Sequence, residues 1–261
     1  MDSSRASLLE SCDSVLTSSC AKQGSVLLLA LPSAKRATAL RARFAGGIAG
    51  YGLADMTSST VSPTGAVYAP KKWSLSGLQG ISDATLEMHF GLYEGYVKNA
   101  NLLNERLAEL RRSGKAAGTD PAYAEIVRRL GFEYNGMRLH EYYFDNMSSM
   151  HHEVGNGALY NTLGESFGGF EEWKKDFMAV GGMRGVGWAI AYYDLANGRI
   201  TNAWISDHEN GHFAGFVPIV VMDVWEHAFI KDYKPAEKSK YIEAFFANLD
   251  WEACELRLPK G

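Results

Sequence analysis

Asp223 and His227 stand four residues apart in the run Asp223-Val224-Trp225-Glu226-His227, a carboxylate and an imidazole able to share one cation. Carboxylate oxygen with neutral imidazole is borderline-hard ligation, suited to iron, manganese or zinc rather than copper(I). The preceding run, Val217-Pro218-Ile219-Val220-Val221-Met222, is short, apolar and β-branched, which predicts a buried strand. Asp223 then falls at a strand's C-terminal end, where a fixed backbone can aim its carboxylate. Positions four apart also share a helix face, but β-branched residues argue against a helix starting before Asp223. Such a pair is common in chains that hold no metal, so the elements that would bring further donors to it decide the matter.

Residues 82–110 read as a long helix, with Ser82 as cap, Asp83 in the first turn and Arg111-Arg112-Ser113-Gly114 as the stop. Leu86, His89, Phe90, Tyr93, Tyr96, Val97 and Leu103 recur along it at spacings of three and four. Asp120-Pro121 begins a second helical region, expected to break at Gly131 and to resume through His140 to about Met147. The two form a helical hairpin. Beyond Gly155-Asn156-Gly157, residues 170–180 read as a short helix, and 188–194 and 199–206 as strands joined across Ala196-Asn197-Gly198. Residues 217–222 are a third strand and 241–248 a closing helix. The expected fold is α+β: an N-terminal antiparallel helical hairpin, then a C-terminal α+β domain with a small three-stranded antiparallel sheet. The boundaries are 1–66 for an N-terminal extension, 67–155 for the hairpin and 156–261 for the second domain.

The chain has 261 residues, 46% of them hydrophobic, which allows one large domain or two small ones with ample core. A net charge of −4 supplies no general basic field for nucleic acid, although a local basic funnel could still draw a small anion. Cys12, Cys20 and Cys254 make neither a disulfide framework nor a zinc knuckle. No apolar run approaches the roughly 18 residues of a membrane-spanning helix. Residues 1–66 are rich in Ser and Ala, carry Lys35, Arg36, Arg41 and Arg43, and contain Gly46-Gly47-Ile48-Ala49-Gly50. They read either as an organellar targeting segment, for mitochondrion or plastid, or as a disordered extension of a cytoplasmic protein. His151 and His152 are adjacent and cannot share a helix face; they read as loop residues.

Asp223-Val224-Trp225-Glu226-His227-Ala228-Phe229 closely resembles the C-terminal metal signature of the iron/manganese superoxide dismutase family. Gly185-Val186-Gly187-Trp188-Ala189 is similar to that family's G-x-G-W-A segment. Tyr241-Ile242-Glu243-Ala244-Phe245 and Asn248-Leu249-Asp250-Trp251 resemble its final helix. Upstream, Glu87-Met88-His89-Phe90-Gly91 and Leu139-His140-Glu141-Tyr142-Tyr143-Phe144 resemble its two helical ligand motifs. The likeness runs in family order from about residue 67 to 258.

The resemblance implies one iron or manganese ion per subunit, held by His89, His140, Asp223 and His227, with a further position open to solvent or substrate. It implies superoxide as substrate, a homodimer or tetramer, and no nucleic-acid or membrane partner. Trp188 and Trp225 would wall the site with apolar surface, with Tyr143 beside it, and Glu226 would reach across the dimer. The chain also departs from the family. Gly136, four residues before His140, excludes the glutamine usual in iron-type members, and no glutamine follows Gln79 to serve as in manganese-type members. His208, fifteen residues before Asp223 (223 − 208 = 15), resembles a histidine some members use in that place, and would contact the coordinated solvent and tune redox potential. His212 competes for this role. Eight residues after His89, where the family has its gateway tyrosine, stands Val97; the gate is then Tyr96, through a one-residue deletion that removes a π-bulge, or Tyr93, one turn from His89. A further family tyrosine is replaced by Ile230. The function implied is disproportionation of superoxide to O2 and H2O2. The alternatives are a non-catalytic homologue kept as a structural or interaction module, and another mononuclear iron enzyme such as an oxygenase.

Overall fold

Ser82, in extended backbone, accepts a hydrogen bond on its side chain from Thr85 N and so starts α1 (Asp83–Arg112), while Arg111 and Arg112 place positive charge at its C-terminal end. Asp120 does the same for Tyr123 N, and Pro121 occupies the first turn of α2 (Pro121–Asp145), where its missing N–H loses nothing. The structure is a computed structural model describing residues 67–150 and 153–259. The hairpin is antiparallel: Tyr93 of α1 reaches Glu141 of α2, and Asn99, further along α1, reaches back to Glu133.

α2 runs through Gly131 without the expected break. An interior glycine costs a helix about 1 kcal/mol. Met137, Leu139, Tyr143 and Phe144 of α2 lie in one apolar core with Leu86, Tyr93 and Val97 of α1, and that burial outweighs the cost.

α3 (Ala158–Phe167) was not expected. It has no local side-chain cap; instead the Glu255 carboxylate, about a hundred residues away, accepts from Ala158 N and Leu159 N at 3.2 and 3.3 Å. α4 (Phe170–Gly181) follows. The closing segment forms two helices rather than one, α5 (Lys238–Ala247) and α6 (Trp251–Glu255). Asn248 leaves the helical path because its amide exchanges two 2.8 Å hydrogen bonds with the backbone of Gln79, and Asp250 then caps α6.

β1 (Gly187–Asp194), β2 (Ile200–Ser206) and β3 (Phe216–Asp223) form an antiparallel sheet in the order β2-β1-β3, as the sequence predicts. α4 packs on β1 and β2, and α2 on β3. Pro218 cannot donate to a ladder; it lies on an edge strand where the register of β1 against β3 shifts between Ala191 and Tyr192. Gly187 has φ +147°, and a Cβ there would stand 1.9 Å from Ile205 O, so only glycine lets β1 approach β2 this closely before Trp188. Trp188 is the cross-strand partner of Asp223 on one side and of Ile205 on the other. That register sets the indole between the end of β3 and the turn after β2. Among the described residues, no helix is long and apolar enough to cross a membrane.

Candidate metal centre

Four elements deliver four donors to one point. α1 carries His89, α2 carries His140, β3 ends on Asp223, and a 3-10 turn over Glu226–Ala228 presents His227. One ligand atom from each lies within 4.8 Å of the other three. His89 Nε2 and His227 Nε2 each stand 3.1 Å from Asp223 Oδ2, and His140 Nε2 stands 3.6 Å from it. Donors bonded to one transition-metal ion at about 2.0–2.2 Å, with angles of about 90–120°, are about 2.8–3.8 Å apart. The spacing is therefore that of a coordination sphere.

The hydrogen bonds around the cluster say the same. His140 Nδ1 donates to Gly136 O at 2.6 Å, which fixes the tautomer and leaves a lone pair on Nε2. That Nε2 is buried and has no hydrogen-bond partner among the described residues. Asp223 Oδ1 accepts from Trp225 N at 2.8 Å, so Oδ2 is the oxygen turned to the imidazoles. A buried lone pair facing a carboxylate and two more imidazoles fits a cation.

Charge at the site follows from burial and from Asp223. Desolvation lowers the His89 pKa and takes that of His140 well below its ordinary value, so both imidazoles are neutral and ligand-ready. Burial also opposes a charged His227, but Asp223's charge and hydrogen bond outweigh it and raise its pKa. Burial opposes ionisation of Asp223, and His227 and His89 reverse this and hold the carboxyl far below the usual range. His227 is 18% exposed while the other three side chains are fully buried, so any opening lies on its side.

Beside the cluster, Trp188 Nε1 donates to His208 Nδ1 at 3.0 Å. The His208 proton is then on Nε2, which donates to the Tyr96 hydroxyl at 2.7 Å. Both ring nitrogens of His208 thus have protein partners, and Tyr96 is the group left with a free proton to offer. Burial lowers the His208 pKa to about 4 and raises that of Tyr96 to about 12, so at neutral pH the imidazole is uncharged and the phenol protonated. His208 hangs from a tight turn after β2 in which Asp207 takes φ +53° and Ser206 N donates to Asn210 O. His212 points the other way: Tyr192 donates to its Nδ1 at 2.6 Å, and its Nε2 donates to His208 O at 2.9 Å. It braces the turn and does not enter the cluster.

Of the two candidate gate tyrosines, the structure brings only Tyr96 to the site. At about 100° per residue, Tyr96 lies about 20° from His89 around the α1 axis and Tyr93 about 40° away in the opposite sense. Tyr96 therefore faces α2 over Gly136, its ring 5.1 Å from that of His140. Tyr93 is buried on the other flank, donating to Glu141 at 3.0 Å and accepting from Lys71 N at 2.9 Å, which withdraws its hydroxyl from the cluster. α1 passes from His89 to Tyr96 as uninterrupted α-helix.

Trp225 stacks on His208 and His227 at 4.8 and 5.8 Å, and Trp188 packs edge-on to His140 at 5.0 Å. Glu226 and Ile230 are exposed beside His227. Sequence reasoning missed Phe132, whose ring lies 4.6 Å from His208 and 6.2 Å from Tyr96. It stands eight residues, two helical turns, before His140, a periodicity that could have revealed it. Phe144, 4.9 Å from His89, and Trp73, 4.8 Å from Phe144, complete an apolar wall. Residues 1–66, His151 and His152 lie outside the described residues, and Cys254, buried in α6, has no disulfide partner among the described residues.

A family model for the iron/manganese superoxide dismutases' C-terminal domain matches residues 155–257. Manganese superoxide dismutase 2 of Haloferax volcanii is 35% identical over 173 residues, 66% of this chain and 84% of that protein. Iron superoxide dismutases of Saccharolobus solfataricus and Aquifex pyrophilus are 32% and 33% identical, over 69% and 70% of this chain and 86% and 87% of theirs. Relatives named for iron and for manganese stand at nearly equal identity, so likeness alone selects neither metal.

Proposed function

Since the chain belongs to the iron/manganese superoxide dismutase family, we propose that it disproportionates superoxide at one iron or manganese ion per subunit, held by His89, His140, Asp223 and His227. The observation that carries this is the buried, unpartnered Nε2 of His140 facing the other three donors. The balance is two superoxide ions and two protons giving O2 and H2O2. An iron or manganese ion held by those residues would supply the one-electron redox chemistry.

The chain's own residues do the rest. Three imidazoles and one carboxylate set the charge around the ion. Trp188, Trp225, Phe132 and Phe144 keep the surroundings apolar, which governs dielectric and redox potential. Tyr96 offers the proton that peroxide needs, and His208, held by Trp188, fixes its hydroxyl. His208 acts on the reaction through Tyr96.

The assembly we propose is a homodimer, with tetramers a further step. What supports this reading is that Glu226 is exposed next to His227, where a second copy could meet it, and that Leu92, Val186 and Ile230 are exposed apolar side chains. We read residues 1–66 as an extension outside the chemistry. The test is to load the apoprotein separately with iron and manganese, and to measure metal per subunit and superoxide consumption for each. About one ion per subunit with superoxide consumption supports the reading. Stoichiometric metal without turnover points to a non-catalytic homologue.

A further inference from the structure

Two phenols outside the cluster are joined to it by hydrogen bonds. The Tyr241 hydroxyl, on α5, donates to the main-chain oxygen of Asp223 at 2.7 Å. A phenol has one proton, so with that proton committed, Tyr241 accepts from the Tyr143 hydroxyl 3.1 Å away. Both tyrosines are fully buried. Tyr143 lies on α2, three residues beyond His140. Its ring is 5.1 Å from the ring of His89 and stacks on Phe245 at 5.9 Å. One side chain thus touches His89 with its ring and reaches Asp223 through its hydroxyl.

We propose that Tyr143 and Tyr241 are positioning residues: the chain Tyr143 to Tyr241 to Asp223 C=O fixes the rotation of Asp223 and so the angle at which its carboxylate meets the three imidazoles. The proposal deepens the dismutase reading and rests on it. Asp223 is the last residue of β3, where the ladder ends and a backbone is freest to turn. Its side chain is held on one oxygen by Trp225 N, and the following peptide by Val224 N to Gly187 O at 2.9 Å. The first contact sets the carboxylate relative to its own backbone, and the second holds the following peptide to β1. The Tyr241 bond ties that backbone to α5, and through Tyr143 to α2, which carries His140.

Packing alone does not require these hydroxyls. Phe144 and Phe245 neighbour Tyr143, and phenylalanine at both tyrosine positions would fill the same space with no buried hydroxyl to satisfy. Ligand geometry is where a small displacement has a large effect, and loss of a residue that orients a metal ligand typically lowers affinity or activity 10–100-fold.

The test uses the iron-loaded full chain with Tyr143→Phe, Tyr241→Phe, the double variant, and Tyr233→Phe as control. Tyr233 also donates to a main-chain carbonyl, Gly80 O at 2.6 Å, away from the cluster. The readouts are the electron paramagnetic resonance spectrum of the ferric protein, the thermal midpoint, and the rate of superoxide consumption. The expected result is about one iron per subunit in every variant, an altered rhombicity in Tyr143→Phe and Tyr241→Phe, and about a tenfold loss of rate in Tyr241→Phe. The double variant should be no worse than Tyr241→Phe, since the two act in series. Tyr233→Phe should match wild type in spectrum. Ferric spectra of both site variants that superimpose on wild type, whatever happens to the thermal midpoint, overturn the proposal. Should Tyr241→Phe fail to fold, Tyr143→Phe decides by the same spectrum. Wild-type protein that binds iron but consumes no superoxide overturns the dismutase reading instead, and the spectral comparison stands apart from that outcome.

Discussion

A Cβ at position 136 would stand 2.6 Å from the ring of Tyr96: Gly136 on α2 is the space that Tyr96 on α1 fills. Gly136 also supplies the carbonyl that orients His140. One glycine therefore touches both a proposed ligand and the proposed proton donor. Gly136→Ala should push the Tyr96 ring off His208 and lower the rate of superoxide consumption at least tenfold, with metal content unchanged, because misplacement by about 1 Å can cost about a hundredfold. Full activity in Gly136→Ala would remove Tyr96 from the mechanism.

His89→Ala, His140→Ala, Asp223→Ala and His227→Ala should each lose stoichiometric metal and activity, measured by elemental analysis and assay. Asp223→Ala should be the most severe, since its Oδ2 faces all three imidazoles. Removing the ion from wild type should lower the thermal midpoint, because an ion that binds only the folded chain stabilises it. Any variant with normal metal and turnover leaves the ligand set.

His208→Ala should retain metal and lose much of the rate with iron and with manganese, and His208→Gln should shift the ratio of activities of the two metal forms. His212→Ala should do less, since its hydrogen bonds go to the His208 backbone and Tyr192 and not to the cluster. Specific activity of each loaded form is the measurement; the reverse order of effects would reassign the role to His212.

The apoprotein should weaken in mild acid. Burial depresses the pKa of His89, His140 and His208, so as pH falls through about 6.5 the unfolded chain takes up protons that the folded chain refuses, and stability falls with pH. His227, raised by Asp223 against its own burial, acts in the opposite sense, but three groups oppose one. His208, held at about 4, accounts for on the order of 3 kcal/mol of the loss once pH falls below its folded value. Urea midpoints of the metal-free protein from pH 7.5 down to 4 should show a shallower decline for His208→Gln than for wild type; parallel curves would refute the assignment.

A chain beginning at Thr64 should fold and bind metal, whereas one beginning at Ser76 should not. The second lacks Lys71, whose N–H bonds Tyr93, and Trp73, which bonds Asp145 and packs on Tyr93 and Phe144 at 5.0 and 4.8 Å. Trp73 is half-buried, so Trp73→Ala should cost about 2 kcal/mol, below the range for a core aromatic. Solubility and unfolding midpoints distinguish the cases, and an insoluble Thr64 chain would give residues 1–63 a part in folding.

What was legible in the sequence was what local chemistry states. Ser82, Asp120 and Pro121 announce helix starts, and Asn197-Gly198 a strand turn, because each acts on backbone groups a few residues away. The four donors sit in recognisable runs. The missing parts depend on distant partners. α3 takes its cap from Glu255, α2 tolerates Gly131 because α1 packs on it, and Asn248 ends α5 by reaching Gln79. At the site, spacing left Tyr93 and Tyr96 open because both lie near the His89 face of the helix. Choosing between them needed the Gly136 gap and the Glu141 partner, which belong to the other helix.

His89 and Asp223 are 134 residues apart in the chain and 3.1 Å apart in the fold. An ion gripped by both is a cross-link between the hairpin and the sheet, closing loops as long as those of many disulfides. Three of its four donors have no exposed surface, so release requires the two halves to part. Exchange of an ion held there is expected to follow opening of the hairpin against the sheet, and so to be slow. The choice between iron and manganese would then fall to whichever ion is at hand as the hairpin closes on the sheet, at first folding or when the apoprotein is reloaded.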